Sequence, residues 1–177
     1  MKKIGIFFGT DTGRTRRIAK LIGQKLGDAA AAPVNINKIS IDDFLAYDAL
    51  ILGTPTYGDG ELPGLSVGLN SESWEEFLPW LGGADMAGKT VALFGLGEQD
   101  KYGDYFCDAL ILLHDAVTAC GASVVGDWPV DGYSFKASQA IVDGRFVGLP
   151  LDQILQPALT EARLDAWLAQ IRPALGI

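Results

Sequence analysis

The chain has little of what builds metal centres or thiol chemistry: one histidine and two cysteines in 177 residues. Cys107 and Cys120 are not in a Cys-x-x-Cys or zinc arrangement, so a disulfide scaffold and a zinc ribbon are both excluded, and both thiols are expected to pack. His114 has only Asp115 beside it and is expected to be structural. No apolar run reaches the ~18 residues that would span a bilayer, because His114 and Asp115 cut the stretch from Ala109 to Ala119. The opening apolar segment, Ile4 to Gly9, is too short for a signal peptide and runs into Asp11, which leads us to expect a first buried strand in a cytoplasmic protein. Cations are also scarce. Against 22 acidic residues there are 14 Lys and Arg, and a net charge of -8 repels the phosphodiester backbone that a nucleic-acid binder must attract. The imbalance lies wholly within residues 57–108, where ten acids meet only Lys89 and Lys101, a confinement that suggests a directed field.

What is present is core. Nearly half the residues are apolar, 49 %, enough for one domain over 1–177. Ile4 to Phe8 reads as a buried strand, and Ile18, Leu21, Ile22 and Leu26 share one face of a helix over Thr15 to Leu26. Further strands are expected over Val34 to Ile39, Ala49 to Leu52, Thr90 to Phe94 and Ser123 to Gly126. Helices are expected at Ile41 to Leu45 behind Ser40, from the capping-box spacing Ser73-Trp74-Glu75-Glu76 to about Leu81, from Tyr105 to Cys120, and from Thr160 to Ile171. The four tryptophans, Trp74, Trp80, Trp128 and Trp167, are expected to pack. Strands alternating with helices specify a parallel sheet covered on both faces. An insertion at about 127–149 interrupts the fifth strand, and within it Asp143-Gly144 between apolar pairs predicts a hairpin.

In such a sheet, ligands bind beyond the carboxyl ends of the strands. Three loops qualify. GTDTGRT offers the hydroxyls of Thr10, Thr12 and Thr15 and the free N–H groups of a helix start, an anion cradle built from neutral donors. It is not a P-loop, which would need the G-x-x-x-x-G-K-[ST] spacing. Gly95-Leu96-Gly97 lacks the third glycine of a dinucleotide fingerprint. A receiver domain would need an aspartate where this chain has Gly53-Thr54. TPTYGDGELPG and GLGEQDKYGDY each present a tyrosine, Tyr57 and Tyr102, and two rings on opposite loops can sandwich a flat heterocycle.

GTDTGRT, TPTYGDGELPG, KTVALFGLGEQ, DGYSF and DGRFVGLPLD together resemble the flavodoxins, over essentially the whole chain and with the insertion of the long-chain class. TPTYGDGELPGL, SWEEFLPWL and LAQIRP look most like flavodoxins that donate electrons to nitrogenase. The resemblance implies an α/β flavodoxin-like doubly wound sheet, five-stranded and parallel in the order 2-1-3-4-5, with helices on both faces. It implies FMN, its phosphate held by Thr10, Asp11, Thr12, Gly13, Arg14 and Thr15. The isoalloxazine ring would lie between Tyr57 and Tyr102, beside Thr54, Pro55, Thr56, Gly58, Asp59, Gly60, Gly95, Leu96, Gly97 and Glu98. Many relatives carry a neutral residue in place of Arg14 and a tryptophan in place of Tyr57.

The implied function is one-electron transport at low potential by the semiquinone/hydroquinone couple, with no catalytic residue and no metal. A Gly58-Asp59 peptide able to reorient, and the acids Asp59, Glu61, Glu98, Asp100 and Asp104, would tune that couple. Partners would be transient, a reductase and a basic-faced acceptor, the latter the nitrogenase iron protein, met by a monomer. The alternative on the same sheet is an FMN-dependent quinone or NAD(P)H reductase, and a flavin-free interaction module is a third class.

Overall fold

A computed structural model describes residues 3–177. Strand β1 is Gly5–Phe8, followed by helix α1, Arg14–Leu26. Then come β2, Val34–Asn35; α2, Ile41–Leu45; β3, Ala49–Pro55; α3, Trp74–Leu81; and β4, Thr90–Leu96. Helix α4, Ala109–Ala119, leads to β5, Ser123–Val125. The insertion carries β6, Trp128–Pro129, β7, Ile141–Val142, and β8, Arg145–Phe146; β9, Leu149–Leu151, and α5, Thr160–Ile171, complete the chain. The main sheet has the order β2-β1-β3-β4-β5, all parallel, as the resemblance implied.

The fifth position is shared by two strands. β5 pairs with the first half of β4 (Ala92 opposite Val125) and β9 with its second half (Phe94 opposite Leu149). The interruption expected from the sequence thus falls inside the strand.

Period-two alternation sends successive strand residues into different cores. Phe7, Leu50, Leu52, Val91 and Leu93 pack with Phe44, Trp74, Phe77, Leu110 and Leu113 on the α2, α3 and α4 side. Ile6, Phe8, Ile51, Ala92 and Phe94 pack with Ile18, Ile22, Leu164, Trp167 and Leu168 on the α1 and α5 side. Burial on both faces explains why these strands read as unbroken apolar runs.

Four local expectations are corrected. The strand over Val34 to Ile39 stops at Asn35, whose side chain accepts from Asn37 N–H at 3.2 Å and turns the chain into a 3-10 turn, Ile36–Lys38. The Ser73 capping box does not form: Glu76 instead accepts from Leu65 N–H at 2.8 Å and Glu75 from Ser66 N–H at 3.1 Å, at the start of the turn Leu65–Val67, and Ser73 Oγ is buried without a partner. The helix expected from Tyr105 begins only at Ala109, because Cys107 has φ 53° and Gly103 and Phe106 are hydrogen-bonded to the insertion. Trp80 lies off the Trp74, Phe77, Leu81 stripe of α3 and is 73 % exposed.

The hairpin at Asp143-Gly144 is present, with φ of 52° and 78° at the two turn residues, the geometry of a type I′ turn. β8 lies between β6 and β7 in a small antiparallel sheet. Its Phe146 packs with Tyr133, Phe135 and Phe106, at centroid distances of 5.2 to 6.0 Å among the four rings. Phe106 belongs to the chain leaving β4, so the insertion covers that loop as well as the fifth strand.

One carbonyl fastens the edge from which the loops emerge. Gly53 O accepts from Gly9 N–H at 3.0 Å and from Trp74 Nε1–H at 2.8 Å, joining the ends of β1 and β3 to α3. Trp74→Phe removes one of these donors within a fully buried site. We expect it to lower the free energy of unfolding by about 1 to 3 kcal/mol, read from urea denaturation.

Candidate functional site

The carboxyl ends of β1, β3 and β4 open into one cleft, with a fourth wall supplied by the chain leaving β9. The first wall is the turn into α1. Gly13, at φ 91°, is the N-cap and offers no side chain, so the first N–H groups of the helix are left to face the cleft. Gly13 N–H itself donates to Thr10 Oγ1 at 3.0 Å. Thr10, Asp11, Thr12, Arg14 and Thr15 line this wall; Thr15 is buried, and Arg14 is exposed. Three hydroxyls and a helix start are a fitting cradle for a phosphate monoester, and among the described residues that line the cleft Arg14 is the one cation.

The second wall is Pro55, Thr56 and Tyr57. Thr56 Oγ1 accepts from Ala109 N–H at 3.1 Å and so caps α4. Asp108, which holds the N-cap position of α4, makes no cap of its own; its carboxylate accepts from Gln139 N–H at 2.8 Å in the insertion. Burial pushes the Asp108 pKa up, although hydrogen bonds from Gln139 and Ser138 oppose it. Beyond Tyr57 the chain folds back at once. Tyr57 and Glu61 exchange backbone hydrogen bonds of 2.9 and 2.7 Å, closing a turn over Gly58, Asp59 and Gly60. Gly58 has φ 49° and Gly60 φ 100°; a Cβ on Gly60 would also lie 2.9 Å from the Asp108 carboxylate, so conformation and space both require glycine there. Burial, and secondarily the charge of Asp11, pushes the Tyr57 hydroxyl up to about 12.

The third wall is Leu96, Gly97, Glu98 and Tyr102, the ring of Tyr102 being exposed. Gly97 N–H donates to Leu151 O at 3.1 Å, holding this loop against β9. Gln153 and Ile154 form the fourth wall and were missed by sequence reasoning. The signal that could have found them is the strand-like LPL before Asp152: once it is read as the second half of the fifth strand, its carboxyl end must open into the same crevice.

Of the residues singled out from the sequence, twelve line the cleft. Gly13, Thr54, Gly58, Asp59, Gly60 and Gly95 do not. Thr54 is fully buried, its hydroxyl donating to Pro55 O at 2.8 Å. Gly95 lies against α4, where a Cβ would meet Leu110 at 2.8 Å. His114 Nδ1 lies 3.0 Å from Asp115 on α4, Cys107 is wholly buried with its pKa raised by that burial, and Cys120 Sγ bonds to Leu81 O. Among the described residues no three His, Cys, Asp or Glu side chains are grouped as metal ligands, and no helix is long and apolar enough to cross a membrane.

Comparison with known proteins places the sequence and the fold in one family. The sequence pattern of the family described as Flavodoxin matches residues 6–167. A flavodoxin of Klebsiella pneumoniae is 58 % identical over 172 residues, covering 97 % of this chain and 98 % of its own. One from Enterobacter agglomerans is 53 % identical over 176 residues, covering 99 % of both. The crystal structure of Fusobacterium nucleatum flavodoxin bound to flavin mononucleotide superposes with a TM-score of 0.89 at 35 % identity, covering 99 % of each chain. With the pattern matched over nearly its whole length and the sheet order and cleft in place, this chain belongs to the flavodoxin family.

Proposed function

We propose that the chain is a low-potential one-electron carrier that holds FMN in this cleft and delivers electrons, as a monomer in the cytoplasm, to an acceptor with a basic face. The observation that carries the reading is the joining, in one cleft, of a neutral-donor cradle on Thr10, Thr12 and Thr15 with two tyrosines, Tyr57 and Tyr102. Bound FMN supplies a one-electron couple. Everything else falls to the chain's own groups. Thr10 to Thr15 and the start of α1 would bind the phosphate, and Tyr57, Tyr102, Leu96 and Ile154 would exclude water from the ring.

Electrostatics supports the low potential. Asp59, Glu61, Asp100 and Asp104 are exposed on the loops around the cleft, and Glu98 lines it. A single carboxylate ~8 Å away, at an effective dielectric of ~20, disfavours an added negative charge by about 2 kcal/mol, or roughly 90 mV. Not every acid of residues 57–108 contributes to the exposed field: Asp108 is buried, and Glu75 and Glu76 hold the backbone of Ser66 and Leu65. The remaining acids favour fast, salt-sensitive association with a cationic partner. The nitrogenase iron protein is the acceptor we propose, supported by the likeness of TPTYGDGELPGL, SWEEFLPWL and LAQIRP to nitrogenase-donating flavodoxins. A quinone reductase would need an uncovered face for its substrate, whereas tyrosines line both sides here.

The reading is tested by adding FMN to the flavin-free protein, where one equivalent should bind and quench its fluorescence; absence of binding overturns it. With FMN bound, Glu61→Gln combined with Asp100→Asn should raise the second one-electron potential by tens of millivolts in an anaerobic titration, and an unchanged potential removes the acidic field as its cause. Because burial holds the Tyr57 proton, the folded state retains it above the ordinary tyrosine range. Its contribution to stability is therefore complete below pH 10 and lost as the pH rises toward about 12. A Tyr57→Phe variant should show a smaller alkaline loss of stability than the wild type when unfolding is followed between these values.

A further inference from the structure

Behind the cleft lies the side chain of Gln99, only 4 % exposed. Its backbone N–H and its Nε2 both donate to Asp152 Oδ2, at 3.0 and 2.9 Å. Its Oε1 accepts from Ser134 N–H at 2.5 Å. One residue therefore joins three segments far apart in sequence: the loop bearing Glu98 and Tyr102, the insertion, and the chain leaving β9.

Asp152 continues the connection. Its Oδ1 accepts from Ile154 N–H and Leu155 N–H, each at 2.9 Å, and so shapes the turn that presents Gln153 and Ile154 to the cleft. Burial by itself would raise the Asp152 pKa, but the hydrogen bonds from Leu155, Gln99 and Ile154 outweigh it and hold the carboxyl below the ordinary carboxylate range. The carboxylate therefore stays charged and fixes the Gln99 amide. Reversing that amide would turn its oxygen toward the carboxylate and its NH2 toward the Ser134 donor, so one orientation alone satisfies every group.

The insertion grips the same loop twice more. Lys136 and Ala137 N–H both donate to Gly103 O at 2.9 Å, and Phe106 N–H donates to Ala137 O at 3.2 Å. The DGYSF segment thus has a definite task. Tyr133 hydrogen-bonds Pro150 O, Ser134 meets Gln99, and Phe135 stacks on Phe106. Neither Gln99 nor Asp152 nor any of the insertion residues named lines the cleft, and among the described residues none is hydrogen-bonded to the Thr10 to Thr15 turn.

We infer that Gln99 is a positioning residue for the flavin ring, through which the insertion and Asp152 set the placement of the Tyr102 wall against the Gln153 and Ile154 wall while leaving the phosphate cradle untouched. The inference rests on the reading of the cleft as an FMN site. Its prediction is a separation: disturbing Gln99 should weaken contacts to the ring and spare those to the phosphate.

The test uses the full chain freed of flavin and three probes: FMN, riboflavin as the ring alone, and inorganic phosphate for the cradle. Gln99→Glu keeps the side-chain shape but sets a carboxylate against Asp152. At pH 8 its affinity for FMN and for riboflavin should fall together by about tenfold, while inorganic phosphate, read by calorimetry, binds within about twofold of the wild type. The loss should shrink as the pH falls toward 5, where the two carboxyls share a proton. Gln99→Glu with Asp152→Asn removes the charge repulsion and restores a side-chain donor and acceptor pair, at the cost of the acceptor for the residue 99 N–H, and should recover part of the ring affinity, which also keeps the test open should the single variant fold poorly. Equal losses for phosphate and FMN would show general loosening and overturn the inference, as would unchanged FMN affinity. A wild-type chain that binds phosphate but not FMN would instead sink the reading of the cleft, so the two failures are distinct.

Discussion

In a parallel sheet every strand ends on the same side, so the loops leaving β1, β3 and β4 emerge as neighbours whatever they contain. The register adds precision. Phe8 stands opposite Gly53, and Thr54 opposite Gly95, so the three chains leave the sheet nearly level with one another. The Gly53 carbonyl then binds β1 and α3 to that edge. The cleft is the consequence, and its walls inherit their rigidity from strands buried on both faces.

An acidic chain that holds a phosphate group faces an electrostatic conflict. Here it is eased by the kind of donor used. Hydroxyls and helix N–H groups attract an anion through dipoles and add no net charge, so the surrounding carboxylates can still act on the ring. Arg14 is the exception, and it stands exposed at the edge rather than within the cradle. The same economy appears at α4, where Thr56 rather than Asp108 supplies the cap. A charged cap would have placed a carboxylate within the wall; Asp108 is instead turned toward Gln139.

The sequence disclosed whatever depends on near neighbours or on periodicity. Ile18, Ile22 and Leu26 marked α1, Ser40 capped α2 as expected with its Oγ accepting from Asp43 N–H, and Asp143-Gly144 marked the hairpin. The three strand-end loops were legible for the same reason, since glycines and hydroxyls cluster where apolar runs stop. Features decided by distant partners were not. Glu75 and Glu76 abandoned the expected capping box because the backbone at Leu65 and Ser66, ten or so positions away, needed acceptors. Gln153 and Ile154 could be placed only once β9 was known to continue the fifth strand, a fact that resides in its pairing with Phe94 and Leu96. Gln99 looked like one polar residue of a loop; its three hydrogen bonds reach across 35 and 53 positions.

The divided fifth strand has an evolutionary corollary. Val125 stands opposite Ala92 and Leu149 opposite Phe94, leaving a single rung, Leu93, between the two halves on β4. A descendant that lost all but one residue of 126–148 would keep an unbroken strand with its hydrogen-bonding ladder intact, so the sheet tolerates gain or loss of this segment. What such a shortened chain would forfeit is the contact from Ser134, and it would need a replacement tether for the loop that the missing segment used to hold.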